Sequence, residues 1–227
     1  MNLSHLRKDN GFTLVELLVA STLTAVVLGG AVALTSQIQN GYRRQLEDSA
    51  GEQEARYAME WIGRYLRTAG NKPHGVAASD CPGVNTLFKG IIPDPNGDGI
   101  NNDITLQSDS NPPDGMIGGV SPICNQPNEH VTISLNSTDH AIIFLDEAVG
   151  ASATTRTDSV IDDLRFVYRN SDRSLWTPIV AATGLPNSAA NIFYVQTQIR
   201  IRTRTVNAAS GTPQTRTLTS EIRVRGR

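Results

Sequence analysis

The chain has 227 residues, of which 39% are hydrophobic and 19% charged, and its formal net charge is −2. That balance excludes a polyanion binder driven by overall charge, while the length suits one membrane segment plus one domain with a real core. Aromatic residues are 5%, and 19 Gly with 11 Pro point to long loops.

The first ten residues form a short polar leader carrying Arg7 and Lys8. Residues 11–34, GFTLVELLVASTLTAVVLGGAVAL, are apolar almost throughout. As a helix the run is long enough to cross a bilayer, which needs about 20 residues. Glu16 interrupts it, and a charge at membrane depth costs roughly 2.5–3.5 kcal/mol on the gentler insertion scales, so such a residue is normally kept with a neutralising partner. An ordinary secretory signal puts a small-residue cleavage site after its apolar segment. Here the suggestive site, Gly11-Phe12, lies before it, so cleavage would leave the helix on the product.

The helical signal continues past residue 34. No proline occurs from residue 35 to 69, and Ala58, Trp61, Ile62, Tyr65, Leu66 and Ala69 recur at helical spacing. Glu52/Arg56 and Glu60/Arg64 are i,i+4 pairs with the acid on the favourable N-terminal side. Gly70, Asn71 and Pro73 supply a stop. The expectation is one helix over residues 12–69 with an apolar membrane half (12–34) and an amphipathic half (35–70). Gly29, Gly30 and Gly41 weaken it by about 1 kcal/mol each relative to alanine, a sign either of close helix packing or of local unwinding in an assembly.

Residues 71–128 are rich in Gly, Pro, Asn and Asp, and a loop region of that length is usually functional or partly disordered. Short strands are expected near residues 86–92 and 104–107. Both cysteines, Cys81 and Cys124, fall here. In an oxidising compartment an even pair suggests one disulfide; in the cytosol it would be two inert thiols. Within the same region Asp94-Pro95-Asn96-Gly97-Asp98-Gly99 has the D-x-N-x-D-G start of a calcium loop. Oxygen side chains at alternate positions and a glycine for the sharp turn suit Ca²⁺, which takes 6–8 oxygen ligands. The usual glutamate position is occupied by Thr105, so Asn102 and Asp103 complete the candidate set with Asp94, Asn96 and Asp98. The same residue types also make a plain solvated turn.

The last region, 129–227, reads as antiparallel β-structure. Strand patterns occupy residues 130–135, 141–145, 159–168, 194–206 and 216–225. A hairpin turning near Ser210-Gly211 would set Ile199 across from Ile222 and Arg200 across from Glu221. Arg200, Arg202, Arg204, Arg223 and Arg225 then form a basic stripe, which reads as a solvated sheet face rather than a nucleic-acid-binding one. The four histidines show no metal spacing, and no Ser/His/Asp, P-loop or zinc pattern is present. Asp162-Asp163 reads as a strand entry rather than a catalytic dyad. An antiparallel sheet with one apolar face needs a cover, which the amphipathic half of the helix supplies, giving an α+β fold.

Gly11-Phe12-Thr13-Leu14-Val15-Glu16-Leu17 resembles the processing site of type IV prepilins and of type II secretion pseudopilins. Residues 55–70 resemble the end of this helix in the minor pilins called PilW, and residues 161–168 and the final strands are similar to that group and to J-type pseudopilins. The resemblance implies a pilin fold and a non-enzymatic role. It implies a peptidase that cuts after Gly11 and methylates the Phe12 amine, and a Glu16 that pairs with the N-terminus of a neighbouring subunit. The implied partners are the prepilin peptidase, other minor pilins, the major pilin, the inner-membrane assembly platform and a tip adhesin. The implied location is the inner membrane with a periplasmic C-terminal domain, then the extracellular pilus. One departure is the lack of the membrane-half proline common in major pilins. The alternative is a J-type pseudopilin; a membrane-tethered periplasmic enzyme has little support.

Overall fold

Among the described residues one helix, α1 (Leu14–Thr68), covers about the first quarter of the chain, and eight strands follow it. The computed structural model describes residues 11–71, 89–110, 126–147, 152–177, 191–206 and 213–224. The chain divides into two units, Met1–Leu46 and Glu47–Arg227.

In the first unit the described residues are helical from Leu14 onward, and their large apolar side chains are exposed. Hydroxyls within this apolar stretch are satisfied by the helix itself: Ser21 donates to Leu18 O, Thr22 to Val19 O, Thr24 to Ala20 O and Thr35 to Ala31 O, at 2.7–2.9 Å. Such back-bonding removes the cost of carrying polar groups into hydrocarbon, where every donor must find an internal partner. The helix runs unbroken through Gly29, Gly30 and Gly41.

The second unit is built by the remaining turns of α1 and two antiparallel meanders. The first has the order β1 (Ile91–Pro93), β2 (Asp103–Gln107), β3 (His130–Asn136), β4 (Ala141–Asp146), β5 (Thr154–Thr155). The second has the order β6 (Ile161–Arg169), β7 (Tyr194–Val206), β8 (Pro213–Arg223). Two sheets therefore stand where the strand patterns alone suggested one, and β1 and β2, drawn from the loop-rich stretch, extend the first of them.

The helix buries Gly51, Ala55, Ala58, Ile62 and Leu66 on one stripe, with Trp61 and Gly63 beside it. These spacings of three and four residues are those of one helix face. The stripe serves both sheets. Trp61 meets Phe144 of β4 edge-on at 6.1 Å between ring centres, whereas Gly51 faces Ile201 of β7 and Gly63 faces Ile222 of β8. Ile104, Val131, Ile133, Ile142, Leu164, Phe166, Val195 and Ile199 complete the same core. Each fully buried aliphatic or aromatic side chain of this size contributes roughly 1.5–3 kcal/mol by transfer from water.

The helix stops as its sequence dictates. Gly70 takes φ of 79°, the left-handed cap that costs glycine nothing. Its N–H donates to Gln107 O at 2.9 Å, and Asn71 Nδ2 donates to Asp109 O at 2.6 Å, so the helix end is sewn to the end of β2.

The β7–β8 register differs from the expected one. Ile199 lies opposite Leu218 and Arg200 opposite Thr217, while Ile222 faces Val195 and Glu221 faces Gln196. The slip is four residues, an even number, so every side chain keeps the face expected of it. The tertiary anchor is Ile222, whose Cδ1 enters the space left open by Gly63.

Candidate functional site

The start of α1 is organised by a reciprocal hydrogen-bond pair. Thr13 N–H and Thr13 Oγ1–H both donate to Glu16 Oε2 at 2.9 Å, and Glu16 N–H donates back to Thr13 Oγ1 at 3.2 Å. This is a capping box: Thr13 is the cap, Glu16 is three residues on, and two otherwise orphaned amides are satisfied. The acid also lies at the positive end of the helix dipole. Glu16 thus has a role within its own chain, and the Thr-x-x-Glu spacing was there to be read. Ahead of the box, Gly11 and Phe12 are non-helical and exposed, with Phe12 88% accessible. The Gly11–Phe12 bond lies outside the hydrogen-bonded helix, and cutting it leaves the Thr13–Glu16 box intact.

A second group of oxygens lies at the 94–103 turn between β1 and β2. Asp94 Oδ1 accepts from Asp98 N–H at 3.1 Å and its Oδ2 from Gly99 N–H at 2.9 Å. Asn96 Oδ1 accepts from Asp98 N–H at 3.0 Å, and Asp98 Oδ1 from Ile100 N–H at 2.7 Å. Beneath the turn, Asp103 is 3% exposed. Its Oδ2 accepts from Asn96 N–H at 3.3 Å, while Oδ1 has no partner. Burial, and then the nearby carboxylates of Asp94 and Asp98, push the Asp103 carboxyl up to about 6, against the hydrogen bond from Asn96. Asn102 Oδ1 and the Tyr168 hydroxyl are also buried without a partner. Burial and the charges of Asp103 and Asp94 hold the Tyr168 phenol well above its ordinary range. Among the described residues no three His, Cys, Asp or Glu side chains are gathered as a metal cluster. All five of the sequence-predicted cation ligands are thus in one turn, with most of their oxygens on backbone amides.

Two arginines of the stripe, Arg200 and Arg202, are paired. Asp162 receives Arg200 Nε at 2.9 Å and Arg202 Nη2 at 2.7 Å, and Asp163 lies 3.5 Å from Arg200 Nη1. Burial alone would raise the Asp162 carboxyl, but the two guanidiniums outweigh it and hold it below its usual range. Glu221, expected to neutralise Arg200, instead pairs with Arg169 at 3.4 Å, a consequence of the shifted register. Arg216 of β8 pairs with Glu52 of α1. Arg225 lies outside the described residues, as do Cys81 and Cys124 with the disulfide expected between them.

A long apolar N-terminal helix with antiparallel sheets is a pilin-like α+β arrangement. Residues 6–32 match the model of the prokaryotic N-terminal methylation motif, which supports a type IV pilin or pseudopilin. The motif implies processing by a prepilin peptidase and membrane-associated pilus assembly, and with the apolar helix it fits membrane anchoring. Comparison with curated proteins and with solved structures gives no match.

Proposed function

We propose that the chain is a minor type IV pilin of the PilW kind: a structural subunit, not an enzyme, that primes pilus assembly at the tip. The observation that carries the pilin part of this reading is the helix start. An accessible Gly11–Phe12 bond precedes a capped helix whose apolar side chains are exposed among the described residues. Such a surface calls for lipid before assembly and for other helices after it. In that setting Glu16, already at a helix N-terminus, meets the amine of a neighbouring Phe12, since a carboxylate and an ammonium out of water each need a partner. The loop-rich stretch of residues 71–128 favours a rare subunit over the major one, because an insert of that length is hard to repeat through a close-packed helical array. The second reading, a J-type pseudopilin of a type II secretion system, uses the same helix start and the same fold.

Deleting the gene separates the two. The minor-pilin reading expects far fewer surface pili in sheared and blotted preparations, with the major pilin still in the membrane. Normal pilus number with a collapse in secretion of folded exoproteins would replace it with the pseudopilin reading.

A further inference from the structure

The 94–103 turn holds an unresolved electrostatic problem. Three carboxylates, those of Asp94, Asp98 and Asp103, share one short turn, and no described basic side chain forms an ion pair with any of them. Asp103 is 3% exposed and its Oδ1 has no hydrogen-bond partner, although its Oδ2 is bonded to the turn through Asn96 N–H. The buried carboxylate thus touches the acidic turn through Oδ2 and keeps its other oxygen unused. Next to it in sequence, Asn102 Oδ1 is buried and unused as well. A buried polar atom without a partner costs about 1–3 kcal/mol, and more when charged. A cation supplies the partner that Asp103 Oδ1 and Asn102 Oδ1 lack and the counter-charge that the three carboxylates lack.

We propose that the turn binds Ca²⁺, with Asp103 Oδ1 as the buried anchor and Asp94, Asn96 and Asp98 as the outer ligands. The donor set is all oxygen, as a hard cation requires, and mixes carboxylate with amide. Calcium suits it better than magnesium because Ca²⁺ accepts 6–8 ligands in flexible geometry, whereas Mg²⁺ demands a near-ideal octahedron. Asp94, Asn96 and Asp98 now bond the amides of residues 98–100. Binding accordingly turns these side chains from the amides towards the ion and tightens the turn. Asp103 opens β2, the strand on which the first sheet is aligned between β1 and β3, so an ion there fixes β2 from its first residue.

The test uses the full chain in detergent, stripped with a chelator and melted in rising CaCl₂ or MgCl₂. The expected result is a saturable rise in Tm with Ca²⁺, half-complete at a concentration of about 0.1–1 mM, the range of extracellular calcium modules, and a much smaller rise with Mg²⁺. Asp98→Asn, an exposed change that keeps the turn's shape, should lose at least tenfold in calcium affinity. Asp103→Asn should remove the calcium response while the ion-free protein melts no lower than wild type, because a neutral amide relieves the buried charge; a purely structural Asp103 would give a lower Tm instead. The proposal is overturned by a flat titration of wild type up to about 10 mM, above the weakest such sites. It is equally overturned by an Asp98→Asn response equal to wild type, or by equal shifts with both metals.

Discussion

Gly63 shows how one position can decide the fit of a helix on a sheet. A Cβ built there would lie 2.8 Å from Ile222 Cδ1, closer than real contacts allow. Two effects compete on substitution. Alanine gains about 1 kcal/mol of helix propensity over glycine, and the atom in its way is the free end of an isoleucine side chain that can turn aside. Larger residues meet the same obstacle with more atoms, and overpacking a core costs typically 1–3 kcal/mol. We therefore expect Gly63→Ala to unfold within about 1 kcal/mol of wild type and Gly63→Leu to lose about 2 kcal/mol or more, measured by denaturant unfolding. If Gly63→Leu were as stable as wild type, the β8 anchor would be misassigned. At this scale the sequence was partly legible. The Thr13–Glu16 box and the Gly70 cap follow from local spacing. The burial of Asp103 does not, because Asp-Ile-Thr-Leu-Gln alternates like a half-exposed strand, yet all five residues of β2 are buried. Contacts from outside the strand contribute: at its far end Gln107 O accepts from Gly70 N–H, and Gln107 Oε1 takes the amides of Lys89 and Gly90.

Elements were read more surely than their partners. Helix α1 shows its two characters in sequence because one half lacks polar residues and the other keeps a period near 3.6. Strand faces were also legible, since alternation assigns each residue to one side. Register was not, because any even slip preserves alternation. The choice falls to tertiary contacts such as Ile222 against Gly63 and Arg200 and Arg202 against Asp162. Strand β5, two residues long, carries no periodic signal at all. The helix makes the functional prediction at this scale. Glu16→Ala removes the N3 acceptor of the capping box, a feature worth roughly 0.3–1.5 kcal/mol of helix-end stability. It also removes a charge that opposes insertion by roughly 2.5–3.5 kcal/mol. The second term is larger, so membrane insertion should be unchanged or eased. Incorporation into filaments should fall sharply if Glu16 meets a neighbour's amine. Co-sedimentation of the variant with sheared filaments reads this directly, and wild-type incorporation would remove Glu16 from assembly.

The chain as a whole carries an α+β domain with its own core and an N-terminal apolar helix segment whose large side chains are exposed among the described residues. The domain could belong to many proteins; the helix start is what narrows the reading. A pilin subunit requires that the Gly11–Phe12 bond is cut and the helix retained, so that Phe12 becomes the first residue of the assembled subunit. Mass spectrometry of the protein recovered from filaments tests it most directly. We predict a mature chain that begins at an N-methylated Phe12 and lacks residues 1–11. Assembled protein that still carries Met1, or a chain cut after the apolar segment, would contradict the account.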